Sequence, residues 1–157
     1  MDIRTEEQRE ARALKLWVVL ARTYDAVRER THQDIARHGL TPTEFAILEA
    51  LYHKGPLLLT ELRGKILVSS GGVTYLVDRL EERGLVERRR CQHDRRATYA
   101  AATEEGQALI ARIFPEHRQV VVEAVAGLDP HEQEAAIELL RRLGKHAASL
   151  EGAAVEA

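Results

Sequence analysis

Ser70, Thr74, Tyr75 and Arg79 fall at i, i+4, i+5 and i+9, a spacing that gathers three hydroxyls and a guanidinium on one helix face. Hydroxyls can meet base donors, base acceptors or phosphate, and an arginine suits guanine or a phosphate oxygen. Taken alone, the four could equally form an ordinary solvated face. Residues 92–96 add a second charged group, with His93, Asp94, Arg95 and Arg96, preceded by Arg88, Arg89 and Arg90. Side chains alternate along a strand, so these last three cannot all face one partner, and Arg89 is the one taken as a contact. His93 offers a pH-dependent phosphate contact or stands as an exposed bystander. Cys91 is the single cysteine; arginine neighbours could lower its thiol pKa and make it a sensor for quinone or peroxide, or it is a small strand residue.

The elements around these residues explain how they would be positioned. Val73, Leu76, Val77 and Leu80 keep helical spacing, which predicts an amphipathic helix over residues 70–83, with Ser69 or Ser70 as its cap. Gly71 and Gly72 cost that helix about 1 kcal/mol each relative to alanine. Close approach of the helix start to a DNA backbone is a reason to keep them, helped by the positive end of the helix dipole. Gly84 ends the helix, residues 85–90 read as a strand, residues 92–96 as a hairpin tip, and a return strand follows. That order is a winged helix-turn-helix: a mainly α fold with a small β-hairpin wing.

Net charge over the whole chain is −2, yet residues 60–100 carry nine Lys/Arg against six Asp/Glu, and the remainder 14 against 19. A basic patch on an acidic body is what a reader of double-stranded DNA needs.

Residues 9–37 lack Pro and Gly and predict a long first helix. Leu14, Trp17, Leu20, Tyr24, Val27 and Ile35 are spaced helically, with Leu16, Val18 and Val19 filling the gaps, so the stripe is wide enough to be buried on more than one side. The reader domain would cover one side and a second subunit the other. Thr41-Pro42-Thr43-Glu44 is a capping-box signature opening a second helix, with Phe45, Leu48, Leu51 and Tyr52 inward. Residues 57–59 suggest an edge strand, and Thr60 a cap for a third helix carrying Leu62 and Ile66. Thr103 opens a fifth helix, which Pro115 is expected to kink or break near Phe114. Asp129-Pro130 caps a last helix with Ile137, Leu140 and Leu143 in a narrow seam. The expected organisation is thus a helical dimerisation region at 1–38 and 104–150, a winged helix-turn-helix at 39–103, and a flexible tail at 151–157. A homodimer through the N- and C-terminal helices would present two reader helices to successive major grooves, about 34–36 Å apart, on a palindromic site.

Other classes are disfavoured. At 157 residues one domain is the default, and one cysteine rules out an internal disulfide framework. The charged N-terminus is unlike a signal peptide and no apolar run is long enough to span a bilayer, so a cytoplasmic protein is expected. The seven His show no zinc-ligand spacing, and neither a metal nor a cofactor is expected. Ser69-Ser70-Gly71 lacks the flanks of a nucleophile elbow, and no phosphate-binding or dinucleotide motif occurs, which argues against an enzyme. For a small-molecule effector, Trp17, Tyr24, Phe45, Leu48 and Phe114 are candidate pocket residues; plain core is the alternative for each.

The ordered set Leu59-Thr60-Glu61-Leu62, Ser69-Ser70-Gly71-Gly72-Val73-Thr74, Leu80-Glu81-Glu82-Arg83-Gly84-Leu85-Val86-Glu87-Arg88, Asp94-Arg95-Arg96 and Thr103-Glu104-Glu105-Gly106 resembles the MarR family of bacterial transcription regulators over roughly residues 10–145. The resemblance implies a homodimeric winged helix protein, usually a repressor released by a small aromatic, phenolic or oxidant signal bound between the dimer helices and the reader domain. It also implies that Arg96 enters the minor groove while Asp94 orients it. Ala46-Ile47-Leu48-Glu49-Ala50-Leu51-Tyr52-His53-Lys54-Gly55, Ile113-Phe114-Pro115-Glu116-His117 and Cys91 are similar to the branch that includes methylhydroquinone-responsive repressors. The chain departs from the family at Ala102, where leucine is frequent, and at Gly71-Gly72, where larger polar residues are common. It also has no cysteine in the first helix. Two alternatives stay open: a winged-helix protein–protein module without DNA binding, and a thiol-based redox switch acting through Cys91.

Overall fold

Apolar residues at helical spacing occupy most of the chain, and helices dominate the computed structural model, which describes residues 3–65, 72–90 and 98–153. In order come α1 (Ile3–Arg37), α2 (Pro42–Lys54), β1 (Leu57–Leu58), α3 (Leu59–Lys65), α4 (Gly72–Glu82), β2 (Val86–Arg90), β3 (Thr98–Ala102), α5 (Glu104–Val125) and α6 (Pro130–Ala153). Residues up to Val120 form one compact unit and those from Val121 a second.

The first unit is built on a three-stranded antiparallel sheet of order β1-β3-β2. Val86 pairs with Ala102 and Arg90 with Thr98, while Leu57 of the short edge strand pairs with Ala100. Ala100, Ala101 and Ala102 of the central strand are buried; side chains this small let α2 lie close over β3. Ala102, where the family often carries leucine, is only 7% exposed, so its junction is closed. The core gathers Phe45, Ile47, Leu48 and Leu51 of α2 with Leu62 of α3. Val73, Val77 and Leu80 of α4 and Ile110 and Ile113 of α5 complete it. From α1 only the C-terminal end contributes, through Ile35.

Local signals set the boundaries. Thr41 Oγ1 accepts from the Glu44 amide at 3.2 Å, and Glu44 Oε2 accepts from the Thr41 amide at 2.8 Å, closing the expected capping box. Gly84 takes φ 71° at the end of α4, a left-handed turn that favours glycine. Thr103 then ties sheet to helix: its hydroxyl donates to the Gly84 carbonyl at 2.6 Å and accepts from the Gly106 amide at 3.1 Å.

Several expectations are corrected. α1 starts at Ile3 rather than near residue 9. Within one chain the wide apolar stripe is buried only at its C-terminal end, at Ile35, and Leu14, Leu16, Trp17, Val18, Val19 and Tyr24 are all exposed. Tyr52, expected inward, is 39% exposed. Thr60 lies inside α3 instead of capping it, and Glu61 supplies the cap contact by accepting from the Leu58 amide at 2.9 Å. Of the kink or break expected at Pro115, the break does not occur, and α5 runs on from Glu104 to Val125. Both Pro115 and Ala111, whose carbonyl loses its partner, are exposed, so water can replace the missing donor. Ile66 lies outside the described residues.

In the second unit Asp129 and Glu132 form another capping box, and Gln133 Nε2 donates to the carbonyls of Val125 and Leu128. α6 continues to Ala153, past the start of the expected tail at 151; residues 154–157 lie outside the described residues. Ile137, Leu139, Leu140 and Leu143 are exposed along it. Among the described residues no helix is long and apolar enough to cross a membrane, and no group of three or more His, Cys, Asp or Glu is arranged to hold a metal ion.

Candidate nucleic-acid interface

α4 divides its residues as its periodicity demands. Val73, Val77 and Leu80 are buried, and Thr74 and Tyr75 stand exposed on the opposite side. Tyr75 is 59% exposed, and the Arg79 guanidinium carbon lies 5.9 Å from its ring centroid, a cation–π approach. Thr74, Tyr75 and Arg79 are therefore brought together at the surface of α4. Ser69, Ser70, Gly71, Cys91, His93, Asp94, Arg95 and Arg96 lie outside the described residues.

The three arginines of β2 do not alternate in burial, Arg88 being half-buried and both Arg89 and Arg90 exposed. Arg89 is exposed and pairs with its neighbour Glu87; Arg90 is exposed at the strand's end. Arg88 turns back onto α4. Its guanidinium meets Asp78 at 2.6 Å and also Glu81, while its amide donates to Glu81 Oε1 at 3.1 Å. Burial works against its charge, but the hydrogen bonds it donates to Asp78 and Glu81 outweigh that and raise its pKa above the ordinary arginine value. Arg88 thus fastens the strand to the reader helix. The sequence offered it only as one of three alternating cations, because the carboxylates that claim it come from the preceding helix.

Two further links escaped sequence reasoning. Arg79 of α4 and Arg83 in the turn just after it approach Glu44 of α2 at 3.4 Å and 3.5 Å, and Arg83 also donates to the Gly39 carbonyl at 3.0 Å. Near the C-terminal end of α1, Asp34 is 2% exposed; it accepts from Arg37 and lies 2.9 Å from His117 Nδ1 on α5. The His117 ring stands 4.6 Å from Phe45. Burial by itself pushes the Asp34 carboxyl up, but hydrogen bonds and charge from Arg37 and His117 hold it below its ordinary value. A carboxyl lowered in the folded state adds stability above its unfolded pKa of about 3.9, and that stability is lost as pH falls through the folded value. Asp34→Asn should therefore cost about 1–3 kcal/mol at pH 7 and less at pH 3. Urea unfolding at the two pH values reads this directly; an equal cost at both would show that the charge contributes nothing.

The candidate effector residues fall in two places. Phe45 and Leu48 are core, and Phe114 is half-buried with its ring 4.8 Å from His53. Trp17 and Tyr24 instead line a shallow hollow on α1 with Leu20, Ala21 and Asp25.

Comparison with known proteins agrees with this architecture. The sequence profile of the MarR family matches residues 38–97. The HTH-type transcriptional regulator MhqR of Bacillus subtilis (strain 168) is 43% identical over 136 residues, covering 87% of this chain and 94% of that protein. Sco3205 of Streptomyces coelicolor, a MarR family transcriptional regulator solved in complex with DNA, superimposes with a TM-score of 0.78. It is 24% identical over 87% of this chain and 88% of its own, a likeness of fold alone. BpsR of Bordetella bronchiseptica, whose DNA binding is regulated by 6-hydroxynicotinic acid, gives a TM-score of 0.73 at 28% identity, over 80% of this chain and 90% of its own. Proteins of this kind are transcription regulators, not enzymes. An exposed polar reader helix, a strand fastened to it by Arg88, and extended identity to a named regulator place this chain in the MarR family of DNA-binding, winged helix-turn-helix transcriptional regulators.

Proposed function

We propose that the chain works as a homodimeric repressor that binds a palindromic operator and is released by a small phenolic or quinone-type signal. The observation that carries the dimer is the apolar surface of α1. Leu14, Leu16, Trp17, Val18, Val19 and Tyr24 lie 43–66% exposed in the single chain, a patch of the kind that marks an interface. Leu139, Leu140 and Leu143 of α6 offer a second such surface. Two-fold pairing would set two copies of α4 one helical turn of DNA apart.

In this reading Ser69, Ser70, Gly71, Thr74, Tyr75 and Arg79 form the major-groove face. Arg89, His93, Asp94, Arg95 and Arg96 serve the wing. Tyr75 and Arg89 separate two kinds of contact. Tyr75→Ala should weaken operator binding about tenfold or more with little change in its salt dependence, as loss of a base contact does. Arg89→Ala should weaken operator and unrelated DNA alike and reduce the log–log salt slope by about one, as loss of a phosphate contact does. Anisotropy titrations over a range of salt concentrations read both quantities; interchanged signatures would exchange the two roles.

The signal is argued from 43% identity to MhqR and from the resemblance to methylhydroquinone-responsive repressors. Trp17, Tyr24, Phe45, Leu48 and Phe114 are the proposed pocket positions. Cys91 is the proposed site if sensing is covalent. Added methylhydroquinone should release the protein from its upstream DNA. Release that survives Cys91→Ser and reducing conditions assigns the signal to a pocket, and release abolished by both assigns it to the thiol. DNA binding that quinone leaves untouched removes the signal from the account and leaves the regulator.

A further inference from the structure

We propose that Glu44, on a helix outside the reader, is a positioning residue for DNA recognition that presets the Arg79 guanidinium; the inference rests on the DNA-binding reading above. Glu44 is 1% exposed, and its Oε2 is committed to the Thr41 amide at 2.8 Å. Its Oε1 makes no hydrogen bond among the described residues, and Arg79 Nη2 stands 3.4 Å from it. Arg83, in the turn that follows α4, holds the other oxygen from 3.5 Å and the Gly39 carbonyl at 3.0 Å.

A carboxylate taken out of water needs compensating cations, so both arginines are drawn towards α2. Arg79 is not consumed by the contact. Its side chain stays 41% exposed, and the guanidinium lies beside the exposed Tyr75 ring. An arginine free in solvent must give up its rotamers when it meets DNA, whereas one already held loses less. Glu44 thus fixes in advance the direction from which Arg79 reaches the groove.

Charge and positioning act with opposite sign here, which makes the idea testable. Glu44→Gln keeps the helix cap but removes one negative charge near the reader. Charge alone would tighten binding to any DNA. Loss of positioning would weaken only the sequence-specific complex. We expect Glu44→Gln to weaken binding to a duplex from the upstream region of its own gene roughly five- to tenfold. Binding to a random-sequence duplex of equal length should hold or improve. In an Arg79→Ala background Glu44→Gln should have no further effect on specific binding. Arg79→Lys, which keeps the charge but not the planar fork, should lose specific affinity and keep non-specific affinity; it provides the test even if Glu44→Gln folds poorly. Parallel loss on both duplexes with a lowered Tm, unchanged specific binding, or additive effects in the double variant would each overturn the inference while leaving the DNA-binding reading standing. A wild-type chain that binds neither duplex overturns both.

Discussion

Gly106→Ala is expected to destabilise the protein by about 3 kcal/mol or more, although alanine is the better helix former. A Cβ at Gly106 would fall 2.0 Å from the Leu85 carbonyl oxygen and 3.0 Å from its carbon, both backbone atoms that cannot rotate away. That carbonyl accepts from the Thr103 amide at 3.1 Å, and the Thr103 hydroxyl bridges Gly84 and Gly106, so any shift pulls on the junction of α4, β2 and α5 together. DNA binding should fall with stability, because β2 starts at that junction. Gly64→Ala is the control. It lies in α3 with nothing near its added methyl, and helix propensity alone should make it neutral or stabilising by up to about 1 kcal/mol. Thermal and urea unfolding of the two variants decide the matter; equal behaviour would show that the close approach at Leu85 is not a constraint.

Trp17→Glu should abolish operator binding while leaving the fold of each chain intact. Trp17 is 64% exposed in the single chain, so an isolated subunit should lose no more than about 0.5 kcal/mol. Within the proposed two-fold interface the same change sets an unpaired carboxylate against apolar neighbours, which costs several kcal/mol. The dimer dissociation constant should rise by a factor of about 100 or more. Each monomer then meets only one half-site, and operator affinity collapses. Sedimentation velocity and anisotropy on the same sample check both steps. A Trp17→Glu protein that remains dimeric and binds its operator would move the interface away from this face of α1.

What the sequence made legible was local or periodic. The inward face of α4 follows from the i, i+4, i+7 spacing of Val73, Val77 and Leu80, and the left-handed turn after it from Gly84. The capping boxes at Thr41 and Asp129 need only residues three apart. Contacts made across the fold were not legible. Asp34 and His117 are 83 positions apart, and nothing near either predicts the other. Glu44 reads as a cap and nothing more until α4 and the turn after it bring two arginines to it. Pro115 shows a helix carried past a proline without a break, because one missing donor on an exposed face does not outweigh the packing of Ile110 and Ile113 on the same helix. For Phe45 and Leu48 the sequence alone left core and pocket open, since such side chains fill a core as readily as they line a cavity; both are buried in the core.

The central claim, sequence-specific DNA binding through α4 and the wing, is tested most directly by fluorescence anisotropy at low and moderate salt. The full-length protein would be titrated into labelled duplexes, one from its own upstream region and one of unrelated sequence. The account predicts tight binding to the first, at least about a thousandfold stronger than to the second, with log affinity falling linearly as log salt rises. Equal affinity for the two duplexes, or no binding to either at low salt, would contradict it.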